Sequence, residues 1–115
     1  MELQFTELEN SINAIKLIGV LDTNGVGAIE TKFAGYSTGD HSKVLVDLAD
    51  VEFLTSIGIG LLVTTAKSVA NRGGKMVILK PNENVKGVFE MTGILDIIPV
   101  YMDLEEAIQA LIKKG

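Results

Sequence analysis

KVLVDLADVEFLTSIGIGLLVTTAKSVANRGGKMVILK, residues 43–80, decides the fold. The run from Val44 to Leu48 is short, apolar and rich in valine, which is how a strand buried on both faces reads. VEFL, 51–54, reads as an apolar strand end, and from Ser56 to about Asn71 the spacing turns helical. Gly73-Gly74 stops that helix, as glycine does just past a helix end. KMVILK then reads as a second buried-type strand. Strand, helix and strand in that order make a βαβ unit, whose strands run parallel.

The same reading extends outward in both directions. LQFTELENSINAIKLIGVLD gives two strands. In the first, Leu3 and Phe5 alternate with polar residues; the second covers Ile12 to Val20, with Glu9-Asn10 in the turn. Val26, Ile29, Phe33 and Tyr36 then recur at three or four, a helical face capped by Asp22, Thr23 or Asn24 and ending near Gly39. Beyond residue 80, Pro81 and Asn82-Glu83 open a short helix with Val85, Val88 and Phe89 inward, closed near Gly93. DIIPVY reads as a brief edge strand, where Pro99 is tolerable. Asp103 with Glu106 suits the start of a last helix whose inward stripe is Leu104, Ala107, Ile108 and Leu111. The predicted order is ββαβαβαβα: an α/β fold with a mixed, mostly parallel sheet of about five strands and about four helices.

The bulk composition narrows the function classes. A chain of 115 residues suits a single domain, 1–115, and can bury roughly two-thirds of its unfolded surface. It is 47% apolar and 22% charged, ordinary for a globular protein. No apolar run approaches the ~18 residues of a membrane span. Residues 1–15 lack the basic start and apolar block of a signal peptide. With no cysteine there is no disulfide or thiolate chemistry, which fits a cytoplasmic chain. The net charge of −5 and the lack of any basic cluster beyond Lys113-Lys114 speak against nucleic acid as a partner.

The motifs argue against an enzyme. Gly58 and Gly60 begin a dinucleotide fingerprint, but Val63 stands where the third glycine belongs; Gly25 and Gly27 are followed by Glu30. A P-loop fails at Val69 and Met76. Ser56-Ile57-Gly58 is half a nucleophile elbow, with Leu54 in place of its first glycine. The one histidine, His41, precedes the strand that Ser56 follows, which puts the two at opposite ends of the sheet and leaves Ser56 without a base. One histidine and scattered acids supply no metal cage, so neither cofactor nor metal is expected. What remains is Ser56 at a helix start. A plain N-cap explains it. The same position welcomes negative charge, so a phosphate of about −1.5 to −2 charges would be tolerated there. Gly58 and Gly60 would keep the first turn bare for a close-approaching partner.

Three stretches carry a resemblance: IKLIGVLDTNGV at 15–26, VLVDLADVEFLTSIGIGLLV at 44–63 and NRGGKMVILKPNENVKGVFEMTGILDIIPVYMDLEEAI at 71–108. Together, in this order and spacing, they resemble the STAS domain family, above all its small single-domain members, the anti-sigma factor antagonists. The resemblance implies a binding regulator that captures a serine-kinase anti-sigma factor and frees a sigma factor. It implies that the kinase phosphorylates the serine of an Asp-Ser-x-Gly motif, and that a PP2C-type phosphatase reverses this. Carried over, the phosphoacceptor is Ser56, with Thr55 as the alternative. The partner-facing site comprises Asp22, Thr23, Asn24, Thr55, Ser56, Ile57, Gly58, Ile59 and Gly60. Thr55 stands where the motif has its acid, and Ile59 where it has leucine. A second implied role is that of an unphosphorylated adaptor in a transport or stress-signalling complex. The expected assembly state is a monomer or a weak homodimer.

Overall fold

A computed structural model describes residues 1–113. The elements are β1 (Glu2–Leu8), β2 (Ile12–Leu21), α1 (Thr23–Tyr36), β3 (Lys43–Leu54), α2 (Ser56–Asn71), β4 (Lys75–Leu79), α3 (Glu83–Thr92), β5 (Val100–Tyr101) and α4 (Leu104–Ile112). Their order is the one the sequence predicts. Single 3-10 turns at Glu9–Ser11 and Ile94–Asp96 complete the path.

The sheet runs β1-β2-β3-β4-β5, with β1 antiparallel to β2 and every later pairing parallel. Strand order never reverses, so successive right-handed crossovers all lay their helices on one face. That face carries the main core. Val26, Ile29 and Phe33 of α1, Leu62, Ala66 and Val69 of α2, and Val85 and Phe89 of α3 pack against Ile15, Leu17, Val44, Val46, Leu48 and Ile78. The helix α4 follows the last strand and has no crossover to complete. It lies on the other face, where Ala107 and Leu111 meet Ile12, Leu45, Val77 and Leu79. The continuous apolar runs of β3 and β4 follow from this, since both strands are covered on both faces.

Four local expectations need correction. The apolar run Val44–Leu48 and the strand end read at 51–54 are one continuous strand, Lys43–Leu54. It carries two irregularities against β2: Lys16 pairs with Asp47 but Ile18 with Asp50, and Gly19 pairs with Val51 but Val20 with Phe53. Each inserts one extra residue in β3, which breaks the period-2 alternation between the apolar run and the strand's end. The first is held by polar groups: Asp47 Oδ1 accepts from Ala49 N at 2.9 Å, and Lys16 Nζ reaches Asp50 at 3.0 Å and Asp47 at 3.7 Å. Secondly, DIIPVY is a strand only at Val100–Tyr101, because Ile94–Asp96 coils into a 3-10 turn that buries Ile94. Thirdly, α1 ends at Tyr36, short of Gly39. Its last carbonyl, Tyr36 O, accepts from Asn13 Nδ2 at 2.9 Å, which ties the helix end to β2. Fourthly, Leu104 is exposed, and the buried residues of α4 begin at Ala107.

Candidate functional site

Parallel strands that step in one direction bring the starts of α1, α2 and α3 to one edge of the sheet, at the strands' carboxyl ends. Two of these starts are built alike. Asp22 caps α1, its Oδ1 accepting from Gly25 N at 2.8 Å. Thr55 caps α2, in extended conformation. Each cap is followed three residues later by a buried glycine, Gly25 or Gly58. A methyl group on Gly25 would strike Val20 O, and one on Gly58 would strike Leu21 O and sit 2.9 Å from Leu21 Cγ. The glycines therefore let the first turn of each helix rest on the end of β2. Thr55 N donates to Leu21 O at 3.2 Å and closes the two junctions into one ledge. Asn82 joins the third: its Oδ1 accepts from Val85 N at 2.9 Å, and its Nδ2 donates to Val51 O and Glu52 O at 3.0 and 3.1 Å.

On this ledge the predicted residues are close together but play different parts. Thr23, Asn24, Thr55, Ser56, Ile57 and Gly60 are exposed, while Asp22 and Ile59 are half-buried. Two readings change. Ser56 is not the N-cap; it is the first helical residue, and the cap is Thr55. Gly58 is not a bare approach surface, because it is turned inward against Leu21. Of the two glycines of this turn, it is Gly60, with nothing within 4 Å of an added methyl, that offers open space.

The start of α2 also differs chemically from its neighbours. The caps of α1, α3 and α4 each accept a first-turn N–H, at Gly25, Val85 and Glu106. Thr55 makes no such bond. The first helical bond of α2 runs from Ile59 N to Thr55 O at 3.0 Å, so the N–H groups of Ser56, Ile57 and Gly58 have no acceptor among the described residues. Ser56 thus opens a 16-residue helix whose positive end carries unpaired donors.

Ile57, the residue after Ser56, is 45% exposed, and Phe53, three residues before it on β3, is 48% exposed. His41 lies at the far end of the sheet, its backbone N donating to Arg72 O at 2.8 Å and its Nδ1 3.2 Å from Gly73 O. It does not meet Ser56, as the sequence predicts. Among the described residues no cluster of three or more histidines or acids could hold a metal, and no helix is long and apolar enough to cross a membrane.

Comparison with known proteins follows from this geometry. The family model for the STAS domain matches residues 6–107. A Thermotoga neapolitana protein described as an anti-sigma factor antagonist is 35% identical over 69 residues, 60% of this chain and 61% of that protein. The match thus spans under two-thirds of that relative's length. An anti-sigma-factor antagonist (STAS) domain protein from Planctomyces limnophilus superposes with a TM-score of 0.86 at 26% identity, over 96% of this chain and 98% of its own. The Bacillus cell fate determinant SpoIIAA in its phosphorylated form shares the fold, with a TM-score of 0.68 at 21% identity, over 95% and 98%. The chain belongs to the STAS domain family.

Proposed function

We propose that this STAS-family chain is an anti-sigma factor antagonist, which acts in the cytoplasm by binding rather than by catalysis. It captures a serine-kinase anti-sigma factor on the ledge formed by the starts of α1 and α2, and so frees a sigma factor. Phosphorylation of Ser56 ends the complex, and a PP2C-type phosphatase restores it. The names of the relatives support the general role. One observation carries the switch: Ser56 presents an exposed hydroxyl at a helix start whose own N–H groups lack an acceptor. A phosphate there would find donors and a favourable dipole, so the fold would tolerate it. The same group would place about two negative charges next to the exposed Ile57, where a partner's apolar surface would have to desolvate them.

The test uses the partner recovered with the full chain from its own cells and identified by mass spectrometry. Ser56→Ala is expected to bind that partner like the wild type and to resist release by the kinase. Ser56→Asp is expected to bind at least tenfold more weakly. If both variants bind and release as the wild type does, Ser56 is not the switch. The adaptor reading draws on Thr55, which stands where the family motif has its acid. A phosphopeptide spanning residues 44–67 from cells in any growth state would exclude the unphosphorylated adaptor and would separate Ser56 from Thr55.

A further inference from the structure

The sheet ends on one side in β5, two residues long, and on the other in β1, seven residues long and paired only with β2. The pairing of β1 is regular from Glu2↔Ile18 to Leu8↔Ile12, with no bulge. Every second residue of an edge strand turns its N–H and C=O outward. On β1 these groups have no backbone partner among the described residues. β1 holds no proline, no lysine and no irregularity; its charges are Glu2 and Glu7 alone. Its sequence, ELQFTEL, can pair antiparallel with itself without setting those glutamates against each other.

We propose that two copies of this chain pair antiparallel along β1, about a twofold axis through Phe5. In that register Glu2 faces Leu8, Leu3 faces Glu7, Gln4 faces Thr6, and Phe5 faces Phe5 of the other copy, so no like charges meet. Shifting by one residue either way sets Glu2 against Glu7 or against Glu9 of the other copy. Such a shift would also put the helical layers on opposite sides of the joined sheet, because facing residues of an antiparallel pair point to one side. The proposed register keeps both layers on one side. Leu3 and Phe5 face Leu17 and Ile15 and belong to the helix side. Phe5 is 36% exposed and stacks on Tyr36, ring centroids 4.0 Å apart and nearly parallel. Pairing would bring the two Phe5 rings together and cover both. A single seven-residue edge falls well below the ~1,600 Å² of a standard interface, so the association is weak and isologous. Ser56 follows β3, two strands inward from β1, so both copies would keep their ledges open. The pairing is independent of the role assigned to Ser56.

Sedimentation equilibrium of the full chain, from about 10 μM to about 1 mM, tests this over the range a weak dimer requires. The average mass of the wild type is expected to rise from the monomer's 12.3 kDa towards twice that value. In Gln4→Glu/Thr6→Glu, glutamates face each other twice across the axis, while residue 4 stays opposite Lys16 within its own chain and the fold is spared. Association should fall at least tenfold. Gln4→Glu/Thr6→Lys turns the same two contacts into opposite charges and should restore it. A wild type that stays monomeric throughout overturns the proposal. So does a double-glutamate variant that associates like the wild type, or a Glu/Lys variant no stronger than the double-glutamate one. Thermal melting monitored by circular dichroism checks that each variant is folded.

Discussion

Gly58 and Gly60 look alike in the sequence, two glycines bracketing Ile59, yet their surroundings are opposite. Gly58 is buried against the carbonyl and side chain of Leu21, and Gly60 faces open space. Alanine at 58 must displace the end of β2, a strain of about 1–3 kcal/mol. Alanine at 60 removes a glycine from a helix and is expected to stabilise by about 0.5–1 kcal/mol. Urea denaturation of the two variants should move in opposite directions; equal shifts would refute the inward placement of Gly58. Lys16 offers a second residue-scale test. Its hydrogen bond with Asp50, then the charge of Asp47, hold the ammonium above its ordinary 10.5. A raised folded pKa gives stability that is complete below the unfolded value and lost as pH rises through the folded one. The stability difference between wild type and Lys16→Met should therefore stay level from about pH 6 to 9 and narrow above about pH 10.5. With Lys16 about one-third exposed, the difference will be small.

At the scale of elements, the start of α2 is the part least satisfied by the chain itself. Three helices have a side chain on a first-turn N–H, and α2 has none. Thr55→Asp supplies a better capping acceptor and a charge suited to the helix dipole, worth about 1 kcal/mol. The melting temperature of Thr55→Asp is expected to rise, and a fall would show that the extended Thr55 backbone does not admit a capping side chain. The helix that would be easiest to stabilise is thus the one that carries Ser56. Strand β3 shows a related compromise. Its two inserted residues interrupt the ladder with β2, and Asp47, Asp50 and Lys16 together hold the first of them. At the strand's end Leu54 is buried in the core while Phe53 is exposed.

For the whole molecule, the decisive fact is that strand order never reverses. Three helices share one face, their starts share one edge, and the sheet has no switch point of the kind that opens a nucleotide crevice. Phe33 and Phe89 anchor α1 and α3 in that one core, both fully buried. Phe89→Ala should cost about 3–5 kcal/mol and lower the stability of the entire sheet and helix layer, rather than loosen α3 alone. Far-UV circular dichroism and hydrogen exchange would tell these apart. Loss of protection confined to α3 would mean that it is not part of the shared core.

The sequence by itself determined the element order, the parallel centre and the core stripes apart from Leu104 of α4. Those features rest on local periodicity, and the apolar runs of β3 and β4 and the threefold or fourfold spacing of α1 and α2 state it directly. It also placed Ser56 at a strand-to-helix junction and kept His41 away from it, because chain direction alone fixes which end of a parallel strand a loop occupies. Tertiary structure decided the rest. Whether Gly58 faces Leu21 or a partner depends on how closely β2 approaches α2, which no local pattern encodes. The two inserted residues within β3 were hidden, because they depend on how β3 pairs with β2 and not on any local pattern. Thr55 rather than Ser56 became the cap because the helix begins only after Thr55 N has bonded to Leu21 O, a group 34 positions away in the chain. Contacts of that kind form between segments distant in sequence, and only folding brings their atoms within reach.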